Sequence, residues 1–303
     1  MTYRIIQNRK IFLSLSTLAI VASVVALIGW GLNFGVDFTG GSLLEVQFKN
    51  YQPSLAEVQD SLKAADLHNL IIQPTNDSLI LRFQENTEVA HQAAVKDLQA
   101  LAASKTGAVF TELQFNSVGP SIGQELKSKS FNATAICFLM IIIYISLAFR
   151  KVSKPVASWK YGIAAIIALI HDILFTLGVF AFLGHFYGVE INTPFIAAIL
   201  TVLGYSVSDT IIVFDRIREN LPKSHGDFED TINNSVNQTI TRSINTSLSA
   251  ILALLAVLFL GGDTIKDFAL ALIVGIFIGT YSSIFIASPV LVIWDKWTHR
   301  QPK

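Results

Sequence analysis

The stretch LGYSVSDTIIVFDRIREN, residues 203–220, sets one carboxylate, Asp209, near the end of a long apolar run. The run 194–214 is about 21 residues, close to the roughly 20 that cross the hydrocarbon core of a bilayer, so Asp209 is expected inside a membrane. A charge at a helix centre costs roughly 2.5 to 3.5 kcal/mol on insertion scales, which makes an ionisable group there a functional candidate by default. The plainer reading is a carboxylate close enough to the cytoplasmic end to reach water.

Composition agrees with a membrane setting. The chain has 303 residues, 52% hydrophobic and 15% charged, with a mean hydropathy of +0.53, values typical of an integral membrane protein. Its 22 basic and 22 acidic residues balance, so no basic excess points to nucleic acid. The single cysteine, Cys137, falls in an apolar run, where it serves as a small hydrophobe and says nothing about redox compartment.

Upstream, Arg4, Arg9 and Lys10 precede an apolar run at 11–32, read as an uncleaved first span with a cytoplasmic N-terminus. The motif FGVDFTGG, residues 34–41, follows at once, its glycines allowing tight turns where the chain enters a folded domain. Asp37 there either caps a turn or makes a specific contact. Residues 42–115 contain no run long enough to cross a membrane. They read as a strand around Leu44, Val46 and Phe48, a helix at 54–65, strands at 69–73 and 78–83 joined by the turn 74–77, a helix at 85–105 and a strand at 108–115. That order, β-α-β-β-α-β, suits a ferredoxin-like split βαβ sandwich. His68 and His91 are expected as solvated surface residues, with neither metal site nor catalysis in this domain.

The segment SVGPSIGQEL, 117–126, is either a hinge or re-entry turn or a plain loop before a helix. Further spans are expected at 131–149, 161–183, 194–214, 240–260 and 268–293. Arg150, Lys151 and Lys154, then Arg216, Arg218 and Lys223, then Lys296, Arg300 and Lys303 mark cytoplasmic segments, whereas the loop 184–193 has no Lys or Arg. Asn192 and Pro194 start the fourth span as cap and first-turn proline. Gly275 and Gly279 form a G-x-x-x-G spacing that permits close helix contact. The expected organisation is therefore residues 1–35 as cytoplasmic N-terminus and first helix, 36–126 as an outer domain, and 127–303 as five further helices with a cytoplasmic C-terminus.

Around Asp209, Tyr205 and Ser206 lie one turn earlier and form a polar stripe leading to the carboxylate, with Thr210 on the adjoining face. Arg242 enters the fifth span from the same side of the membrane, with Asn245 and Thr246 after it. Burial favours a neutral carboxyl and a nearby guanidinium favours a charged one, so helix movements that change the Asp209 to Arg242 separation would decide whether a proton stays bound. Alternatively Arg242 is a snorkelling anchor. His171 and Asp172, in the third span, either extend a polar path or form a structural pair, and as neighbours in sequence they are expected on different helix faces.

Taken together, FGVDFTGG, SVGPSIGQEL, the His171-Asp172 pair, GYSVSDTIIVFDRIREN and TRSINTS at 241–247 resemble the SecD/SecF protein-export family of the resistance-nodulation-division superfamily, over nearly the whole chain. Ser208 stands where Asn is more usual in that motif, a change that leaves the carboxylate intact. The resemblance implies an α-helical protein of the bacterial inner membrane with six transmembrane helices and one small α+β ferredoxin-like periplasmic domain between the first and second. It implies the SecF role beside SecD, with SecYEG and SecA as working partners, YajC as a further one, and the unfolded preprotein and membrane lipids in contact. It implies proton passage at Asp209 and Arg242, with no cofactor, no metal and no enzymatic activity. The competing readings are a proton-driven exporter of lipids or small molecules, an intramembrane protease, and a scaffold for SecD. A G-x-S-x-G protease motif is excluded by Ser208, which takes the place of its second glycine.

Overall fold

The computed structural model describes residues 3–75, 77–148, 158–224 and 226–298. The chain divides into two compact units, one formed by Met1–Asn33 with Asn132–Lys303 and the other by Phe34–Phe131. Expectations for Asn76, Phe149, Arg150, Lys151, Lys154, Arg300 and Lys303 lie outside the described residues.

In chain order, helix α1 (Arg9–Gly29) belongs to the larger unit. The smaller unit follows with α2 (Val36–Thr39), β1 (Gly41–Lys49), α3 (Leu55–Ser61), β2 (Ile71–Pro74), β3 (Leu79–Phe83), α4 (Glu88–Ala103) and β4 (Val109–Val118). The strands form one antiparallel sheet in the order β2-β3-β1-β4. Period-two alternation sends Leu44, Val46, Leu79, Leu81 and Phe83 to one face, where Val58, Leu62, Ala94 and Leu98 cover them. Ala90, Ala94, Leu98 and Ala102 form the buried stripe of α4. A capping box starts α3: Glu57 N donates to Ser54 Oγ and Ser54 N donates to the Glu57 carboxylate. That backbone bond, with Lys105 beside it, lowers the Glu57 pKa to about 2.

The two glycine motifs meet inside this unit. Gly40 and Gly41 have φ of +76° and +115°, and a Cβ would lie 2.7 Å from Pro120 Cα at Gly40 and 2.6 Å from the Phe83 carbonyl oxygen at Gly41. At Gly123 a Cβ would lie 3.0 Å from the Phe38 carbonyl oxygen. The segment 117–126 is thus the start of a helix: β4 ends at Val118, and Pro120 opens α5 (Pro120–Ala148). The helix begins well before the expected 131 because its first turns are polar, and apolar run length does not register them. His91 also differs from expectation: it stacks on Phe115 with ring centroids 3.8 Å apart and lies between Glu88 and Glu112. His68 is exposed but hydrogen-bonded to Glu85 at 2.7 Å.

The larger unit continues with α6 (Ser158–Tyr187), α7 (Thr193–Asn220), α8 (Phe228–Leu260), α9 (Asp263–Ser282) and α10 (Ser288–Thr298), the last two joined by a π-helical turn, Ser283–Ala287. Among the described residues six helical segments are long and apolar enough to cross a membrane. The segments in α6, α7 and α9–α10 are the most buried. Gly275 and Gly279 seat α9 on α7, where a Cβ would lie 2.2 Å from Val202 Cγ2 and 3.0 Å from Ser206 Cβ respectively. Helix α8 starts a dozen positions before the expected 240, and its polar early turns bind the N-terminal segment. Asn233 Oδ1 accepts from Ile5 N at 3.1 Å and Ile6 N at 3.2 Å, and Asn237 Oδ1 accepts from Tyr3 N at 2.7 Å. Glu229 accepts from Arg9 at 2.6 Å and also pairs with Lys296.

Substitution Gly40→Ala is expected to destabilise the smaller unit by about 1–3 kcal/mol, since it adds left-handed strain to a collision with backbone. Loss of slow amide exchange across β1 in the full chain would register it; unchanged protection would show that Pro120 yields. The hydrogen bond His68 donates to the Glu85 carboxylate, then that carboxylate's charge, raises the His68 pKa above the ordinary 6.5. The stability this pair contributes is complete below that ordinary value and is lost as pH rises through the higher folded value. An NMR titration should place the His68 midpoint above 6.5, and Glu85→Gln should bring it down. A midpoint at 6.5 in both proteins contradicts this.

Candidate functional site

Helix α7 carries Asp209 from a well-defined start. Asn192 Oδ1 accepts from Phe195 N at 3.1 Å, and Pro194 occupies the first turn. The interior face of the helix then runs through Val202, Ser206, Asp209, Thr210 and Val213. Asp209 is 6% exposed, and Asp172 on α6 is 0% exposed.

Asp172 gathers three helices. Its Oδ2 accepts from Ser206 Oγ of α7 at 2.6 Å and from Ser282 Oγ of α9 at 2.8 Å, while Oδ1 lies 3.2 Å from His171 Nδ1. His171 and Asp172 therefore touch, although neighbours on a helix diverge. The imidazole is buried, with Tyr281 and Phe175 rings each centred 6.4 Å away, and its Nε2 has no hydrogen-bond partner among the described residues.

Asp209 faces a different set. Ser243 of α8 and Ser283 of the π turn lie beside its carboxyl group. Among the described residues, Asp209 Oδ2 and Ser243 Oγ are buried without a hydrogen-bond partner. Ser283 Oγ pairs with Thr210 Oγ1 at 2.8 Å and donates to the Gly279 carbonyl at 2.9 Å. Of the adjacent serines where α9 passes into the π turn, Ser282 donates to Asp172 and Ser283 lies beside Asp209. Such turns are rare and concentrate at functional sites. Ser288 Oγ donates to the Ser283 carbonyl at 3.3 Å, supporting the widened register.

The structure does not bring Arg242 to Asp209 within this chain. Arg242, Asn245 and Thr246 are exposed, and the neighbouring Ser243 and Ser247 form the buried face of α8. Tyr205 reaches that face, its hydroxyl 3.4 Å from Ser247 Oγ, and Ser247 pairs with Thr280 of α9. Sequence reasoning missed Ser243, Ser247, Ser282 and Ser283. The signal available was the i, i+4 spacing of 243 and 247 and the serine pair inside an apolar sixth span. Among the described residues no group of three or more His, Cys, Asp or Glu side chains could hold a metal ion.

Six long apolar helices, with two buried carboxylates among them, define a multi-pass membrane protein. The family profile "Protein export membrane protein SecD/SecF, C-terminal" matches residues 98–297, and "SecD/SecF GG Motif" matches residues 25–51. The chain is 43% identical to the protein translocase subunit SecF of Thermobaculum terrenum, over 96% of this chain and 94% of that one. It is 39% identical to the SecF subunit of Anaerolinea thermophila, over 96% of this chain and 94% of that protein. The crystal structure of SecDF from Thermus thermophilus, a translocon-associated membrane protein, superposes with a TM-score of 0.83 at 32% identity, covering 97% of this chain. The chain spans 39% of that solved protein's length. The chain belongs to the SecD/SecF protein-export family.

Replacing Asp172 by Ala leaves the Ser206 and Ser282 hydroxyls without their acceptor, at an expected cost of about 1–3 kcal/mol. Asp172→Asn retains an acceptor oxygen and should recover most of that loss. Thermal unfolding of the two variants in detergent distinguishes them; equal unfolding temperatures for Ala, Asn and wild type would mean that the cluster does not hold the helices together.

Proposed function

We propose that the chain acts as the SecF subunit of a SecDF complex, promoting late steps of preprotein translocation through SecYEG. The full-length likeness to SecF subunits supports the assignment. The observation that carries the coupling reading is Asp209: a carboxyl oxygen buried in the bundle without a hydrogen-bond partner among the described residues. A group so placed binds and releases a proton as its surroundings open and close. One charge crossing roughly 100 mV is worth about 2.3 kcal/mol, or about fiftyfold in an equilibrium constant, so the proton motive force suffices to drive a modest conformational step.

The relative of Thermus thermophilus carries SecD and SecF in one chain, and a separate SecD is the natural counterpart here. Arg242, Asn245 and Thr246 belong to an exposed polar stripe that continues through Asn234, Gln238 and Ser249 of α8. Polar groups at membrane depth face protein or water, so this stripe meets SecD, and Arg242 completes the proton path across that contact. The termini are cytoplasmic and the membrane is the bacterial inner one, in keeping with the positive short segments. The smaller unit is ferredoxin-like, a reading supported by its strand order, and works outside the membrane on the emerging chain. SecA acts as an indirect, functional partner and YajC as a further one, and the work is transport rather than catalysis.

In cells carrying Asp209→Asn at wild-type membrane levels, release of a secreted protein is expected to fall to the rate of wild type with its gradient collapsed. Collapsing the gradient should then slow the variant little further. Wild-type release with full gradient dependence would remove Asp209 from the coupling and leave a scaffold for SecD as the better account.

A further inference from the structure

Two cavities on the larger unit, each about 380 Å³, share Ile240, Ile244 and Phe285 as common walls. One lies between α8 and α9 and is almost wholly apolar, lined by side chains such as Leu248, Ile251, Phe277 and Ile284. An aromatic ladder joins the two: the Phe12 ring, on the wall of the other cavity, is centred 4.3 Å from the shared Phe285, and Phe285 is centred 5.0 Å from Tyr281. The other cavity ends in polar groups: Arg4, Asn8, Thr241 and Tyr3.

The polar end is built rather than incidental. Asn233 and Asn237 clamp the backbone of Tyr3, Ile5 and Ile6 to α8, and the side chains of Ile5 and Ile6 are 4% and 0% exposed. Arg4, between Tyr3 and Ile5, is left exposed at the cavity. Arg9 is taken by Glu229, but Arg4 makes no ion pair among the described residues. An apolar cleft beside a cation whose neighbours are clamped through their backbone matches an amphiphile with an anionic head.

We propose that this groove binds one anionic phospholipid, an acyl chain lying along Phe285, Ile244 and Leu248 and the phosphate at Arg4. The membrane-surface position of Arg4 rests on the topology proposed above, since basic pockets between spans on the cytoplasmic side take anionic headgroups. Charge complementarity selects the lipid: a zwitterionic headgroup offers the guanidinium no net charge, and a soluble anion has nothing to fill the apolar cleft.

The test is native mass spectrometry of the full chain in detergent, titrated with phosphatidylglycerol or phosphatidylcholine of matched chains. Wild type should retain one phosphatidylglycerol about fivefold more tightly than phosphatidylcholine, the preference expected of one basic group near a headgroup. Arg4→Gln should abolish the preference while leaving the weaker binding of both lipids. Ile244→Trp, which fills the shared wall, should weaken both. Equal retention of the two lipids by wild type, or an unchanged preference in Arg4→Gln, overturns the proposal. Labelling of a cysteine placed at Tyr3, in a Cys137→Ala background, reads sidedness separately. Label entering from the outer face alongside a clear lipid preference would keep the groove and discard the topology.

Discussion

Asp172 organises the larger unit more than any other side chain. It is fully enclosed, and an enclosed carboxylate persists only where donors surround it. The donors come from α7 and α9, so the requirement to satisfy one buried group fixes three helices against one another. The close approach of α9 to α7 at Gly275 and Gly279 serves the same end, bringing Ser206 and Ser282 near enough to share one oxygen. Once those contacts form, the π turn sets the next serine beside Asp209. The candidate coupling group thereby sits in a bundle whose packing rests on a second buried carboxylate.

Much of this was legible in the sequence, for reasons of different strength. Asp209 stood out because a lone carboxylate in an apolar run has few explanations. The β-α-β-β-α-β order of the smaller unit followed from alternation at Leu44, Val46 and Phe48 and helical spacing at Ala90, Ala94 and Leu98. The strand order β2-β3-β1-β4 needed the pairing itself. Helix starts at Pro120 and Phe228 went unread because polar first turns carry no hydropathy.

The pairing of Arg242 with Asp209 failed within the chain for a reason of helical phase. Helix α8 is polar on two faces: Ser243 and Ser247 inward, Arg242, Asn245 and Thr246 outward. Neighbouring positions on a helix differ by about 100°, and periodicity alone does not say which polar face turns in. The charge drew attention to the outer face, whereas the small hydroxyls, cheap to bury among close-packed helices, occupy the inner one. The π turn left no trace in the sequence beyond its serines.

The clamp between the first residues and α8 has a consequence for how the protein comes into being. The backbone N–H groups of Tyr3, Ile5 and Ile6 donate to Asn233 and Asn237, more than two hundred positions later. At synthesis rates of roughly 5–20 residues per second, this segment waits roughly ten to fifty seconds before those two asparagines exist. Throughout that interval Arg4 and the buried pair beside it stay available to whatever else lies at the membrane surface. The larger unit therefore cannot complete this contact until the early turns of α8 have been made.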